Sequence, residues 1–181
     1  MAKVYFGLGS NLGDRASNLH RALQLLPESW ITITKLSSIY ETDPEGSESL
    51  QAQGHTTFLN AVCVAETELT PSALLMVIKE VEVLMGRVAG PRHGPRIIDI
   101  DILLFGDLIM DTPNLTIPHQ AMVNRTFVLV PLVEIAPRAV HPRLEKTAQE
   151  ILSKLPNTGG IRLWGQFSQV LFETTEDPSA L

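Results

Sequence analysis

The chain has 181 residues, 44% of them hydrophobic, which suffices for one domain with a single core. Its net charge of -6 argues against nucleic acid as a partner, because proteins that bind a phosphate backbone usually carry a basic excess. The only cysteine, Cys63, excludes an internal disulfide and a cysteine-rich zinc site.

The first part of the chain predicts strands on either side of a helix. Residues 4–8 predict a strand, and a glycine-rich turn follows. Apolar residues recur at helical spacing from Ala16 to Leu26, which predicts the first helix. Residues 30–42 and 57–69 show the β-branched alternation typical of strands. The polar segment between these two strands is long enough to form a lid over a site.

A second helix and a further strand follow. Thr70 and Pro71 have the residue types of an N-cap and a first-turn proline, so a helix is predicted from there to Gly86. Residues 87–96 form a basic loop with two Gly-Pro pairs. Residues 97–105 then predict a strand.

The last third predicts two helices. Residues 127–137 favour a helix that Pro131 interrupts, and residues 145–155 predict an amphipathic one. We expect residues 1–160 to form one α+β domain, a layer sandwich whose mainly antiparallel sheet is of ferredoxin-like kind, with helices packed on it. Residues 161–181 are expected to be a partly ordered extension that contributes at most an edge strand.

The location of the protein is predicted from its apolar runs. The apolar stretch at the N-terminus is too short for a signal peptide, and nowhere do about 18 apolar residues follow one another. We therefore expect a cytoplasmic protein without a membrane partner. A monomer that acts on small molecules is expected.

Two aspartates interrupt the apolar strand at 97–105. Because residues two apart in a strand point to the same face, Asp99 and Asp101 should stand side by side, about 7 Å apart. Ile98, Ile100 and Ile102 should face the core. Two like charges at this distance repel unless cations are present, and magnesium and arginine are the usual cations.

Basic residues precede this acidic pair within a dozen positions. They are Arg87, Arg92, His93 and Arg96. One short segment thus supplies carboxylates for a metal and guanidinium groups for phosphates, as a nucleoside triphosphate with magnesium requires. The alternative, the solvated face of an edge strand, stays open from the acidic pair alone.

Several familiar phosphate motifs are absent. No Gly-Lys pair occurs, which excludes a P-loop, and the glycines of "GLGSNLG" do not have the spacing of the dinucleotide fingerprint. The protein-kinase motifs are missing as well. We interpret the early glycines as a tight turn at which the backbone approaches a ligand.

The segment that contains the two aspartates resembles the signature of a known family. The chain is similar to the 6-hydroxymethyl-7,8-dihydropterin pyrophosphokinases of folate biosynthesis in several motifs that occur in the family's order. These motifs are "GLGSNLGDR", "SSIYETDPEG", "FLNAVCVAET", "EVEVLMGR", "RHGPRIIDIDIL" and "LTIPHQAMVNRTFVLVPLVEIAP". The resemblance implies a single-domain α+β enzyme that transfers the terminal pyrophosphoryl group of ATP to the pterin's hydroxymethyl oxygen and releases AMP.

The resemblance also implies roles at the ATP end of the site. Asp99 and Asp101 would hold two magnesium ions that bridge the phosphates of ATP. Arg87 and Arg96 would clamp the phosphates, and Arg92 would assist from a mobile loop. The remaining residues implied to surround ATP are Leu75, Glu82, Ile102, Thr116, His119 and Arg125. From their glycines, prolines and length, loops 43–55 and 86–96 are expected to close over bound ATP.

At the other end, the resemblance places the pterin between Phe58 and Phe127, because aromatic faces hold a flat heterocycle well. Asn60, with both a donor and an acceptor, would recognise the polar edge of the pterin. The residues implied to help it are Thr42, Asp43 and Gly9.

The chain differs from familiar members of the family at a few positions. The loop between Gly86 and Gly94 is about one residue shorter. The unusual residues are His93, Glu45, Gln120 and Lys79. They concern lid closure and adenine packing more than the reaction.

Two other functions are consistent with parts of the pattern. A two-metal phosphohydrolase would also use paired aspartates with arginines. A regulatory module of ferredoxin-like fold would bind a small ligand without catalysis. Such a module does not need Asp99, Asp101, Arg87 and Arg96 together, which favours the enzymes.

Overall fold

The structure is a computed structural model that describes five stretches of the chain. They are residues 1–26, 30–43, 57–87, 96–156 and 160–167. Several predictions fall outside these residues: the phosphate contact of Arg92, the departures at His93 and Glu45, and closure of the loops 43–55 and 86–96, most of which is not described.

Ten strands lie in the described residues. In chain order they are β1 (Ala2–Ser10), β2 (Ile31–Leu36), β3 (Ile39–Thr42), β4 (Phe58–Thr67), β5 (Asp99–Phe105), β6 (Met110–Asp111), β7 (Thr116–Ile117), β8 (Val140–His141), β9 (Lys146–Thr147) and β10 (Ile161–Gly165). Six of them form one sheet in the order β10-β3-β4-β1-β5, with β2 also paired to β4. All strand pairs in the described residues are antiparallel.

Four α-helices lie in the same residues. They are α1 (Arg15–Leu25), α2 (Pro71–Leu84), α3 (Thr126–Ile135) and α4 (Ala148–Leu152). The predicted N-cap of α2 is confirmed, because the Thr70 hydroxyl accepts a hydrogen bond from the amide of Ala73. Gly86 follows the helix with a φ of 91°, a conformation that favours glycine. None of the described helices is both long and apolar enough to cross a bilayer.

Helix α3 confirms the prediction for residues 127–137 in spite of its proline. Pro131 lies inside the helix and has no amide hydrogen, so the usual bond to the carbonyl of Phe127 is missing. Pro131 is buried together with Val128, Leu129 and Leu132. Apolar packing of this face therefore stabilises the helix through the break in its hydrogen bonds.

The strand predicted at 30–42 is in fact two strands, so that prediction was wrong. The break falls at Ser37 and Ser38, between β2 and β3. The Ser37 hydroxyl accepts from the amide of Val62 at 2.9 Å and donates to the carbonyl of Ser38 at 2.7 Å. Short polar side chains of this kind compete with the ladder of a sheet for backbone groups.

Apolar residues cover both faces of the sheet. One core lies between the sheet and helices α1 and α2, and it includes Phe6, Leu23 and Ile78. The other core lies against α3 and α4 and includes Val62 and Leu129. The predicted layers of helices on a mainly antiparallel sheet are confirmed. The ferredoxin-like classification and the domain boundary at residue 160 stay predictions, although β10 of the extension does pair with β3.

Candidate active site

Three neighbouring strands bring predicted site residues together on one face of the sheet. Asp99 and Asp101 of β5 have Gly9 and Gly7 of β1 as cross-strand partners. On its other side, Gly9 pairs with Asn60 of β4. A Cβ at Gly9 would lie 3.3 Å from Oδ1 of Asn60, which is a tight contact. Because Gly9 has no side chain, its bare backbone forms the surface between the Asn60 amide and the two carboxylates. We call this surface the floor of the site.

The alternation predicted for β5 is confirmed. Ile98, Ile100 and Ile102 are buried in the core, whereas Asp99 and Asp101 are only partly buried. The structure thus places Ile102 on the face opposite the carboxylates. An ATP contact by its side chain stays a prediction that this burial does not favour.

Asp99 is the meeting point of two arginines. Nη1 of Arg87 lies 3.0 Å from its Oδ1, and Nη1 of Arg96 lies 2.6 Å from its Oδ2. Each carboxylate oxygen thus accepts a charge-assisted hydrogen bond. Asp99, Arg87 and Arg96 were all predicted at the site from the sequence, and the structure brings them into direct contact.

Asp101 has a different environment from Asp99. Its Oδ2 lies 3.9 Å from Nε2 of His119. Burial and the negative charge of Asp99 raise the pKa of Asp101. A carboxylate in this position gains from a nearby cation, because the cation offsets both the desolvation and the repulsion.

His119 has a defined orientation. Its main-chain amide donates to the carbonyl of Leu103 at 2.9 Å, and its Nδ1 accepts from the amide of Ala121 at 3.2 Å. In a neutral imidazole the proton must then lie on Nε2, the nitrogen that faces Asp101.

Glu82 of α2 is the most buried charged residue near the arginines, with 1% of its side chain exposed. Its Oε1 accepts from the amide of Ile100 at 3.0 Å and forms an ion pair with Arg87. Its Oε2 accepts from Nζ of Lys79 at 2.9 Å. Glu82 is thus almost inaccessible to a ligand, unlike the partly exposed Asp99, which indicates a positioning role. The predicted contact of Glu82 with ATP stays a prediction.

Asn11 is a residue that the sequence reasoning missed. Its side-chain Oδ1 accepts a hydrogen bond from the main-chain amide of Arg96 at 2.6 Å, and its main-chain amide donates to the carbonyl of Arg96 at 3.1 Å. This reciprocal pair fixes the backbone of Arg96 beside the glycine-rich turn. The sequence "GSN" indicated a turn at this point, but it did not predict that Asn11 would bind Arg96.

The predicted pterin residues lie on β3, β4 and α3. Asn60 is 6% exposed, and its Nδ2 donates to Oγ1 of Thr42 at 2.8 Å. This bond fixes the amide so that Oδ1 lies near Gly9. Phe58 is the first residue of β4, and Phe127 lies in the first turn of α3. The guanidinium carbon of Arg125 lies over the Phe127 ring, 5.5 Å from the centroid of that ring. That the two rings enclose a ligand stays a prediction.

The remaining predicted residues are Thr116, Leu75 and Asp43. Thr116 is partly buried in β7, and Leu75 is partly buried against the core beneath α2. Asp43 follows β3 and accepts a hydrogen bond from Nη2 of Arg162 at 3.2 Å. This contact joins the end of β3 to β10.

The acidic residues fit a magnesium site that substrate completes. Among the described residues, no group of three or more His, Cys, Asp or Glu side chains could hold a metal by itself. Asp99 and Asp101 offer a pair of carboxylates on one strand. Magnesium in proteins is usually bound by one or two carboxylates together with substrate phosphates and water, so the pair suits that ion.

Solved structures share this fold. The wild-type HPPK-DHPS of Plasmodium falciparum with pteroate matches 84% of this chain and 44% of its own, with a TM-score of 0.66 and 18% identity. The likeness at this identity concerns the fold, a mixed α/β arrangement.

Two curated relatives differ in how much of their length the chain covers. The 2-amino-4-hydroxy-6-hydroxymethyldihydropteridine pyrophosphokinase of Aquifex aeolicus is 45% identical over 150 residues, 83% of this chain and 90% of the relative. The folic acid synthesis protein FOL1 of Dictyostelium discoideum is 42% identical over 158 residues, 87% of this chain. The chain spans only 23% of that longer relative.

A family model covers the whole predicted site. The model for 7,8-dihydro-6-hydroxymethylpterin-pyrophosphokinase (HPPK) matches residues 5–137, from β1 to just beyond α3. The matched range contains every residue predicted to bind ATP, metal or pterin, and it ends before β10. On this match and on the identity to the relatives, the chain belongs to the 7,8-dihydro-6-hydroxymethylpterin-pyrophosphokinase family.

Proposed function

We propose that the protein transfers the terminal pyrophosphoryl group of ATP to the hydroxymethyl oxygen of 6-hydroxymethyl-7,8-dihydropterin. The hydroxymethyl oxygen bonds to the β-phosphorus, and its proton is released to solvent. The bond from that phosphorus to the oxygen shared with the α-phosphorus breaks, and AMP leaves. The observation that carries this proposal is the position of Gly9, which has Asn60 as partner on one side and Asp99 on the other. This arrangement supports adjacent places for a pterin group and a phosphate group on one sheet.

One side of this floor is suited to the triphosphate. We call it the phosphate half, and it consists of Arg87, Arg96, Asp99 and Asp101. The two aspartates are proposed to hold two Mg²⁺ ions. When bound, Mg²⁺ neutralises phosphate charge and helps align ATP for in-line transfer. The raised pKa of Asp101 supports this assignment, because its carboxylate lacks the two arginine partners that Asp99 has.

The arginines are proposed to bind the phosphates directly. Arg87 and Arg96 meet at Asp99, so both guanidinium groups already lie beside the proposed metal site. Their planar forks match phosphate oxygens. Arg92, which lies outside the described residues, is proposed to assist them. Catalysis of this kind depends mainly on positioning and charge.

Other residues are proposed to surround ATP. His119 presents an Nε2 hydrogen beside Asp101, which suits a phosphate oxygen. Arg125 adds a further positive charge near Phe127. The remaining proposed contacts are Leu75, Glu82, Ile102 and Thr116. For Glu82 and Ile102 the burial described above favours indirect support of the site.

The other side of the floor is suited to the pterin. We call it the pterin half, and it consists of Thr42, Phe58, Asn60 and Phe127. The Asn60 amide, fixed by Thr42, offers its oxygen as an acceptor for the amino and ring N–H groups of a pterin. The backbone at Asp43 and Gly9 is proposed to complete the polar contacts. A site with such matched groups rejects analogues that lack them.

The cellular setting is proposed from weaker support. We propose a cytoplasmic monomer with small-molecule substrates and with no nucleic-acid or membrane partner. Cys63 is buried, and burial raises the pKa of its thiol to about 12, so it stays a protonated core residue.

Phosphorus NMR of the purified protein tests the proposed reaction. ATP, Mg²⁺ and 6-hydroxymethyl-7,8-dihydropterin are supplied together, and the pterin is omitted in a second sample. We expect AMP to form only when the pterin is present. Asp99→Asn should abolish this product, whereas Asp107→Asn, which changes an exposed aspartate just beyond β5, should not.

The same spectra separate the competing functions. Formation of ADP or inorganic phosphate without the pterin would identify a phosphohydrolase instead. Binding of ATP and the pterin without any turnover would leave a ligand-binding module. Either result would contradict the proposed transfer.

A further inference from the structure

Glu134 connects helix α3 to the break between β2 and β3. The amide of Ser38 donates to both of its carboxylate oxygens, at 3.1 and 3.0 Å. The Ser38 hydroxyl donates to Oε1 at 2.7 Å, and the Tyr40 hydroxyl donates to Oε2 at 3.1 Å. One carboxylate thus accepts from three donor groups of the segment that starts β3.

Both elements joined by Glu134 carry residues of the pterin half. On β3, Tyr40 is the cross-strand partner of Asn60, and Thr42 holds the Asn60 amide. On α3, Phe127 precedes Glu134 by seven residues, two helical turns, so the two side chains share a face of the helix. At 1.5 Å per residue they are about 10 Å apart along its axis.

Two further contacts support this junction. Nζ of Lys35 donates to the carbonyl of Ile135 at 3.3 Å, which ties the end of α3 to β2. The Ser37 hydroxyl accepts a hydrogen bond from the amide of Val62 at 2.9 Å, which anchors the break between β2 and β3 to β4. Burial and the hydrogen bond to Glu134 raise the pKa of Tyr40, so its hydroxyl stays a donor.

We propose that Glu134 is a positioning residue for the pterin: it holds α3 against β3 and thereby sets the place of Phe127 relative to Asn60 and Thr42. This inference rests on the proposed function. Glu134 itself contacts neither substrate. A carboxylate suits the position because its two oxygens can accept several hydrogen bonds at once, and charge strengthens each of them.

Substitutions of Glu134 test this role through binding rather than turnover. The fluorescence of 6-hydroxymethylpterin, the oxidised form of the substrate, reports the pterin's Kd, and calorimetry with a non-hydrolysable ATP analogue and Mg²⁺ reports the nucleotide's. For Glu134→Ala we expect the pterin's Kd to rise about tenfold, because small misplacements are costly in a preorganised site. The analogue's Kd should rise less, by about twofold to threefold, since the phosphate half is on other elements and only Arg125, the N-cap of α3, would move with the helix.

Matched variants separate positioning from general damage. Glu134→Gln keeps one acceptor oxygen, so its Kd for the pterin should lie between those of the wild type and Glu134→Ala. Glu68→Ala removes an exposed glutamate just beyond β4, and both dissociation constants should stay unchanged. Tyr40→Phe removes one donor to Glu134 and should raise the pterin's Kd about threefold. This last variant decides the question if Glu134→Ala does not fold.

Each other outcome has a distinct meaning. Unchanged pterin affinity in Glu134→Ala, or in Tyr40→Phe where the alanine variant is unfolded, would overturn the positioning role. An equal loss of pterin and nucleotide affinity would also overturn it, because the role would then be structural support of the whole fold. Failure of the wild-type protein to bind the pterin would refute the proposed function itself.

Discussion

The two halves of the candidate site are built from different physical interactions. The phosphate half depends on charge. Arg87 and Arg96 converge on Asp99, and the buried carboxylate of Glu82 orients Arg87 through an ion pair. The pterin half depends on neutral hydrogen bonds, with the buried Asn60 amide held by Thr42. The difference matches the proposed substrates, since a triphosphate needs countercharge and a heterocycle needs matched donors and acceptors.

The halves also differ in what supports them. Charged groups of α2 and β5 hold the phosphate half. Packing of α3 and the Glu134 contacts hold the pterin half. Substitutions in one half should therefore leave the affinity of the other substrate nearly unchanged.

The largest effect is expected at Arg96. Arg96→Ala should lower kcat about 10³-fold if the residue stabilises the transferring group as arginine fingers do. The Kd of the pterin, measured by fluorescence, should stay within about twofold, because Arg96 binds Asp99 on the phosphate side of Gly9. Arg138→Ala removes an exposed arginine after α3 and serves as the control. A strong loss of pterin affinity in Arg96→Ala would break the proposed separation.

A smaller and opposite effect is expected at Asn60. Asn60→Ala removes a buried amide that both holds Thr42 and faces the floor, so the pterin's Kd should rise about 10²-fold. The Kd of an ATP analogue with Mg²⁺, measured by calorimetry, should be close to that of the wild type. Thr42→Val should show part of the same loss, and a double-mutant cycle should reveal strong coupling of the pair.

Gly9 lies on the border between the halves and should give an intermediate result. A Cβ at this position meets Oδ1 of Asn60 at 3.3 Å, so Gly9→Ala should displace the amide and raise the pterin's KM about tenfold. Gly7→Ala is the matched control, because its Cβ would meet the side chain of Leu103, which has more freedom to adjust. Equal KM values for the two variants would show that Asn60 does not discriminate the pterin.

The smallest effect concerns the stability of the metal-free protein. The pKa of Asp101 is raised in the folded state, so its ionised form disfavours folding. This penalty is absent below the ordinary aspartate pKa and complete above the raised one. Asp101→Asn should therefore raise Tm at neutral pH by about 1–2 °C after allowance for solvent exposure. This difference in Tm between the variant and the wild type should vanish in acid. Thermal unfolding at several pH values without Mg²⁺ measures it, and a variant that is less stable than the wild type at neutral pH would contradict the prediction.

Local sequence patterns were sufficient for much of the fold and for the acidic pair. The alternation of aspartate and isoleucine in β5 predicted that Asp99 and Asp101 share a face, because successive side chains of a strand point to opposite faces of the sheet. The cap at Thr70 followed equally from local chemistry. Such features depend on neighbours within a few residues, and the sequence displays those neighbours directly.

Long-range contacts were beyond prediction from one sequence. The break at Ser38 is stabilised by Glu134, 96 residues away, and the β-branched alternation on either side gave no sign of it. Asn11 binds the backbone of Arg96 across 85 residues. Glu82 was expected to contact ATP, whereas its burial against Ile100 depends on how α2 packs on β5. Tertiary packing decides such cases, and local propensity does not contain it.

The most direct test of the two-half account is calorimetry of both ligands on the same three proteins. Wild type, Arg96→Ala and Asn60→Ala are each titrated with 6-hydroxymethylpterin and with a non-hydrolysable ATP analogue in Mg²⁺. The account predicts a crossed pattern, in which Arg96→Ala weakens only the nucleotide and Asn60→Ala weakens only the pterin. Loss of the same ligand in both variants, or of neither ligand, would contradict it.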